Sequence, residues 1–437
     1  MTSEPQPRIL ERPDHPISRK SISENTLKVL YRLHNQGYRA YLVGGAVRDL
    51  MLGRQPKDFD IGTDARPNDV RRLFRNSRII GRRFRLVHVV FQDEIVEVAT
   101  FRRDPQPGER GGDDELLITD DNTYGTPRED AFRRDFTVNA LFYDIADSSV
   151  HDYVGGIEDL DDGVVRTIGE PDVRFKEDPV RMLRACEFAA RLGFGIEQET
   201  QQSIYDQRRQ LEKASPARLI EEVLGLLRCG ATAQSIQWLM DLGVLEVILP
   251  EAFDMAAVEE RGMGRFDLIP VALDELTAEG RTISDATGLA ALLLPRVMLR
   301  RFDLEAVDQR PMRREAIDSM ITGEIAPFLA RLAVSRERAA RMLAALTGFQ
   351  RLIEPDLAPR VRVGLAHRPW FDDALALFEI LVRSTGEGGE ALAGWQRVAS
   401  RRSEAAVKAA IEEESERHSR SRRRRRSRTR RRGRGRR

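Results

Sequence analysis

Between Ser21 and Gly37 the apolar residues Leu27, Leu30, Tyr31 and Leu33 share one broad face, which predicts a helix with Gly37 as its stop. The run "YRAYLVGG" then reads as a strand entering two glycines, and Ala46 to Leu52 as a short helix closed by Gly53. "DFDIG" predicts a second strand, Asn68 to Phe74 a helical patch, and "RLVHVVF" with "EIVEVATF" a β-hairpin broken at Gln92 and Asp93. The Gly- and Asp-rich stretch 104–125 reads as a loop. Helix and strand alternate to about Gly169. From Asp178 onward the helical period dominates, including Leu219–Leu227, Ser235–Leu242, Arg336–Ile353 and Asp372–Val382. Residues 1–20 are polar and proline-rich and read as a disordered arm.

Composition adds a soluble character to this α+β pattern. Of 437 residues, 41% are hydrophobic and 32% charged, enough for more than one core. The longest aliphatic run, Leu289 to Leu294, is too short to span a bilayer, and no signal-peptide-like segment opens the chain. Two cysteines, Cys186 and Cys229, indicate neither a disulfide framework nor a Cys-based zinc site, so a reducing, cytoplasmic setting is expected. The net charge of +1 conceals an asymmetry. Residues 417–437 carry 14 arginines and no acid, which leaves residues 1–416, with 57 basic and 70 acidic side chains, at −13. Such a tail reads as disordered. It suits a sequence-independent grip on nucleic acid by counterion release, although it could also fold back on the acidic body.

The sharpest chemical signal is "GGAVRDLMLGRQPKDFDIGT". Gly44 and Gly45 lack side chains, so a phosphate can approach their backbone, with the following helix N-terminus and Arg48 as further anion partners. A lone Gly-Gly is more often just a tight turn; the aspartates change that. On a strand, Asp58 and Asp60 share one face while Phe59 and Ile61 point to the core. Two carboxylates so placed repel unless cations sit between them, and hard divalent ions suit them. A third carboxylate would complete a two-metal site for in-line displacement. Glu97, an acid in the otherwise apolar strand "EIVEVAT", is the candidate, against the plainer reading of an edge charge facing water. His151-Asp152 invites a metal-phosphohydrolase reading, but no further His cluster accompanies it and it reads as structural.

These residues resemble the nucleotidyltransferase signature of the polymerase-β superfamily, in its bacterial class II tRNA nucleotidyltransferase/poly(A) polymerase branch. "RRDFTVNAL" (Arg133–Leu141) resembles the branch's second motif, which implies ribose and nucleotide contacts for Arg133, Arg134, Asp135 and Asn139. "EDPVRMLRACEFAARLGF" (Glu177–Phe194) resembles its nucleotide-selecting helix, and "SPARLIEEVLGLL" (Ser215–Leu227) its neck helix. The residues alone make Asp178 a helix N-cap, Pro179 a first-turn residue and Gly193 a stop. The resemblance instead implies that Asp178 and Arg181, joined by Arg184, read the base edge. Glu187 departs from the pattern, standing where the family usually has another Arg. The resemblance runs in order over about residues 25–230.

It implies an N-terminal polymerase-β-like head with a mixed sheet and helices, then an all-helical neck and body, then the Arg-rich tail. The expected bounds are 21–170 for the head, 171–235 for the neck, 236–415 for an RNA-binding body and 416–437 for the tail. Within the branch, "IIGRRFRLVHVVF", with Arg82-Arg83-Phe84, and "DNTYGTPREDAFRRDF" resemble the poly(A)-adding members more than the CCA-adding ones. The implied activity is template-independent transfer of AMP from ATP to single-stranded RNA 3′ ends, with two Mg²⁺ ions (Mn²⁺ as a substitute) and no membrane partner. A CCA-adding enzyme is the near alternative. A non-catalytic RNA-binding adaptor is the distant one, opposed by the intact Asp pair.

Overall fold

A computed structural model of the chain describes residues 6–81, 85–103, 123–253, 268–355 and 357–402. Arg82-Arg83-Phe84, most of the loop expected at 104–125 and the arginine tail lie outside them. The chain forms two compact units, Met1–Pro250 and Glu251–Arg437.

The main sheet of the first unit has eight strands: β1 (Arg8–Leu10), β2 (Ala40–Val43), β3 (Asp60–Thr63), β4 (Ser77–Ile80), β5 (Leu86–Val90), β6 (Ile95–Thr100), β7 (Leu141–Asp144) and β8 (Val150–Asp152). Their order in the sheet is β1-β8-β7-β2-β3-β6-β5-β4. Every pair is antiparallel except β3 with β6. That parallel pair puts Asp60 in register with Glu97. Helices α1 (Glu24–Asn35), α2 (Gly45–Met51), α3 (Pro67–Leu73), α4 (Pro127–Arg133) and α5 (Gly156–Asp162) accompany the sheet. Ser23 caps α1 by accepting from the Thr26 N–H, and Gly37 follows the helix at φ +85°, where glycine carries no steric penalty. Burial alternates along β6: Val96, Val98 and Thr100 are buried while Ile95 and Glu97 are exposed.

Three expectations change. The stretch 1–20 is not a loose arm over its described part: β1 pairs with β8, Ile17 is buried, and buried His15 lies 2.8 Å from the Ser148 carbonyl through Nε2. Backbone pairing orders a segment whose composition gives no hydrophobic alternation. Asp58 does not lie on the strand with Asp60. Val43 pairs with Asp60 as the last rung of β2 before the chain turns at Gly44, so the segment before Asp60 no longer has β2 beside it. Phe59 and Ile61 are nonetheless both buried, as expected. Finally, Asp178 is no N-cap. It ends α6 (Pro171–Glu177), and α7 (Arg181–Leu192) begins after Val180. Gly193 stops α7 in the left-handed region.

Two further helices, α8 (Gln198–Gln207) and α9 (Pro216–Arg228), complete the part of this unit that matters for the site. Leu219, Ile220, Val223, Leu224 and Leu226 form the buried face of α9. The described part of the second unit is helical, with helices at Leu268–Ala278, Asp285–Asp308, Arg314–Arg331, Arg336–Leu352, Pro359–Ala366 and Phe371–Thr385. Leu289 to Leu294 is buried inside the longest of them. Among the described residues no helix is long and apolar enough to cross a membrane.

Candidate active site

A cleft of about 650 Å³ opens in the first unit, a volume suited to a nucleotide-sized ligand. Of the residues singled out from sequence it gathers all but two: Glu97 and Arg133 do not line it. Glu97 instead flanks it through its register with Asp60. The Arg133 carbonyl accepts from Arg174 at 2.8 Å.

At the Gly-Gly turn, Gly44 has φ +72° and ψ −136°, a conformation that disfavours any side chain. A Cβ there would also lie 3.0 Å from Arg134 Nη1. The Gly44 N–H already donates to the Leu141 carbonyl at 3.2 Å, so this residue contributes room rather than a donor. Arg48 is buried, donates to Asp49 at 2.7 and 2.8 Å and to the Asn139 side chain, and burial pushes its pKa down. Arg134 donates to Asp130 and to the Asn139 carbonyl, so its guanidinium is fixed beside the turn.

The carboxylate wall is short of positive charge. The Asp60 carboxyl is pushed up to about 6 by withdrawal from water, then by the charges of Glu97 and Asp58, with Arg134 opposing. Asp60 keeps an exposed face, so water tempers the effect of burial and the neighbouring like charges remain. Deprotonated, such a group fits a divalent cation, the partner that relieves the repulsion. Among the described residues the one trio of potential ligand atoms within 4.8 Å of one another lies elsewhere, at Asp144, Asp147 and His151. Its groups are held in a turn: Asp144 accepts from the Ala146 N–H, Asp147 from Ser149, and His151 meets the Ser149 hydroxyl. Asp152 accepts from the N–H groups of Val154, Gly155 and Ile157, a structural role.

On the opposite wall, two ion pairs organise the segment from Asp178 through α7. Arg184 meets Asp135 at 2.8 and 2.9 Å. Burial alone would raise the Asp135 pKa, but Arg184 and the donors Phe136 N–H and Asn139 outweigh it and hold it below the usual carboxylate range. Asp178 receives a bidentate grip from Arg218 of α9, at 2.6 and 2.8 Å, with the Arg181 guanidinium 4.0 Å away. The Phe188 ring anchors three cations, with the guanidinium carbons of Arg48, Arg184 and Arg191 at 5.4, 5.1 and 5.3 Å from its centroid.

Sequence reasoning did not assign Phe188, Arg191, Arg218 or Glu222 to the cleft. The i, i+3, i+7 spacing of Arg184, Glu187 and Arg191 on one helix face was a usable signal for Arg191. Glu222 is pushed up to about 7 by burial, with Glu187 adding repulsion and Arg184 opposing. A carboxyl raised in the fold contributes most at low pH, and that contribution is lost as pH rises from its ordinary 4.5 through about 7. Glu222→Gln should therefore stabilise the protein at pH 8, by up to ~3 kcal/mol, and change little at pH 5. Melting curves at the two pH values check this; equal shifts at both would contradict it.

Residues 40–166 match the family model described as the poly A polymerase head domain, and residues 193–255 the probable RNA and SrmB-binding site of polymerase A. Over 253 residues the chain is 52% identical to Poly(A) polymerase I of Escherichia coli, covering 56% of this chain and 54% of that one. The chain carries a poly A polymerase head domain at residues 40–166. It is also 39% identical over 220 residues to a CCA-adding enzyme of Bacillus subtilis, covering 50% of this chain and 54% of the other. It spans about half the length of the curated relatives it matches. The crystal structure of the Bacillus stearothermophilus CCA-adding enzyme in complex with CTP superposes with a TM-score of 0.64 at 25% identity, over 88% of this chain and 83% of that one. The mixed-sheet head and helical body are thus the fold of that enzyme as well.

Proposed function

We propose that the protein is a template-independent poly(A) polymerase that transfers AMP from ATP to RNA 3′ ends. The observation that carries the reading is one cleft holding the Gly-Gly turn and Asp58–Asp60 on one wall and Asp178, Arg181 and Arg184 on the other. The greater identity to Poly(A) polymerase I than to CCA-adding enzymes supports adenylate as the unit added. The bond formed joins the RNA 3′ oxygen to the α-phosphorus. The bond broken releases pyrophosphate, and the hydroxyl proton passes to solvent.

Asp58 and Asp60, with Glu97 beside them, would hold two divalent ions, Mg²⁺ or Mn²⁺. Such ions activate the attacking hydroxyl and take charge from the leaving group. Gly44 and Gly45 give the triphosphate room, and Arg48 and Arg134 supply positive charge. Asp135 and Asn139 act by holding Arg184 and Arg48 in place. Asp178 accepts from the exocyclic amine of adenine while Arg181 donates to the ring nitrogen. Cytosine offers the same pattern, so selection depends on keeping Asp178 in one position, which the Arg218 grip favours.

ATP should be used in preference to CTP by well over ~10-fold, a difference of about 1.4 kcal/mol at the transition state. Asp178→Ala should lower both the rate and that ratio. Equal use of the two nucleotides by the wild type would reject the assignment.

The division into a head at 21–170, a neck at 171–235, an RNA-binding body at 236–415 and a tail at 416–437 belongs to the same proposal, as does a cytoplasmic setting with single-stranded RNA 3′ ends as partner. The 14 arginines of residues 417–437 would hold RNA without reading it. Their deletion should flatten the log–log salt dependence of RNA binding by roughly 0.7 for each phosphate no longer neutralised, with little change in addition at saturating RNA. An unchanged slope would mean the tail binds something else.

A further inference from the structure

The sheet lays out a row of charge that runs from the cleft to the edge strand. Asp60 on β3 is in register with Glu97 on β6, Glu97 with His88 on β5, and His88 with Arg78 on β4. His88 Nε2 lies 2.9 Å from Glu97 Oε1. The imidazole is mostly buried, at 16% side-chain exposure, whereas Glu97 keeps 48%. The ring's other nitrogen, Nδ1, is buried and has no hydrogen-bond partner among the described residues.

These facts decide the direction of the bond. A neutral ring protonated on Nδ1 would bury an unpaired N–H and turn the Nε2 lone pair toward a carboxylate, both unfavourable. The Nε2–H form leaves only a lone pair buried and donates to Glu97. One carboxylate oxygen is thereby occupied, and the swing of the Glu97 side chain is limited. Its second oxygen remains for a cation beside Asp60.

We propose that His88 is a positioning residue for the metal site: by donating from Nε2 to Glu97 Oε1 it holds the third carboxylate in register with Asp60. This rests on the reading of Glu97 as a cation ligand. Hydrogen bonds to a ligand's remaining atoms commonly change metal affinity ~10- to 100-fold.

The test uses the full chain with ATP and Mn²⁺, following free Mn²⁺ by its electron paramagnetic resonance signal and kinetics in parallel. His88→Leu should weaken Mn²⁺ binding ~10-fold and lower kcat, with the KM for ATP unchanged. His88→Gln, whose amide N–H reaches close to the Nε2 position, should restore binding to within ~3-fold; His88→Asn, a shorter amide, should not. In a Glu97→Gln background, His88→Leu should add nothing, since the two act as a unit. If His88→Leu does not fold, the Gln and Asn pair carries the test. Gln and Asn variants with equal Mn²⁺ affinity, or a folded Leu variant with wild-type affinity, would overturn the role of His88. If Glu97→Gln still weakens Mn²⁺ binding in that case, the reading of Glu97 stands. Wild-type Mn²⁺ binding by Glu97→Gln would instead remove the ligand reading and the proposal together.

Discussion

Asp60→Ala should abolish nucleotide addition, with a fall of ~10³-fold or more, while leaving the protein folded. Removing one carboxylate forfeits several kcal/mol of charge stabilisation where the two proposed cations would sit. The fold has no reason to suffer. At pH 7 the Asp60 charge sits among those of Glu97 and Asp58, and its pKa of about 6 reflects withdrawal from water together with that repulsion. The melting temperature of Asp60→Ala without metal should equal or exceed that of the wild type. Asp58→Ala should lose activity equally, since Asp58 is an exposed residue at the cleft. Near-normal turnover by either folded variant would sink the two-metal assignment.

The second large effect is expected at Asp135, through stability as well as activity. Its carboxylate neutralises Arg184 and accepts from the Phe136 N–H and the Asn139 side chain. Asp135→Ala strands all three at once. Breaking a fully buried pair costs ~3–5 kcal/mol. Arg184 keeps 37% of its side chain open to the cleft, so ~2 kcal/mol is the better expectation here. The freed guanidinium leaves its place in the cleft, so addition should also drop by ~10²-fold, a barrier increase of about 3 kcal/mol. Chemical denaturation together with single-turnover kinetics reads both. A variant as stable and as active as the wild type would show that Asp135 does not hold Arg184.

Local chemistry makes part of this site legible in the sequence. Asp58 and Asp60 lie two residues apart, Gly44 and Gly45 adjoin a strand, and no long-range knowledge is needed to see that such groups want cations and phosphates. The helical faces of α1, α7 and α9 are equally readable, because apolar spacing is a property of the segment itself. What escapes depends on partners distant in sequence. Arg218 lies 40 residues from Asp178, and Arg184 lies 49 from Asp135. Asp178 reads as an N-cap because its side chain suits one; the bidentate Arg218 grip, a tertiary interaction, draws it away instead. The strand β1 escapes for a similar reason. Arg8, Ile9 and Leu10 show no alternation, and only pairing with β8 orders them. His88 is legible as a β residue, yet its place opposite Glu97 follows from the hairpin register.

The most direct measurement is the sequence of the product. The full chain would be incubated with all four nucleoside triphosphates, once with a generic RNA and once with a tRNA lacking its terminal CCA. A run of A residues on the generic RNA is the predicted result. Ordered addition of two C residues and one A to the truncated tRNA, with no homopolymer on the generic RNA, would contradict it.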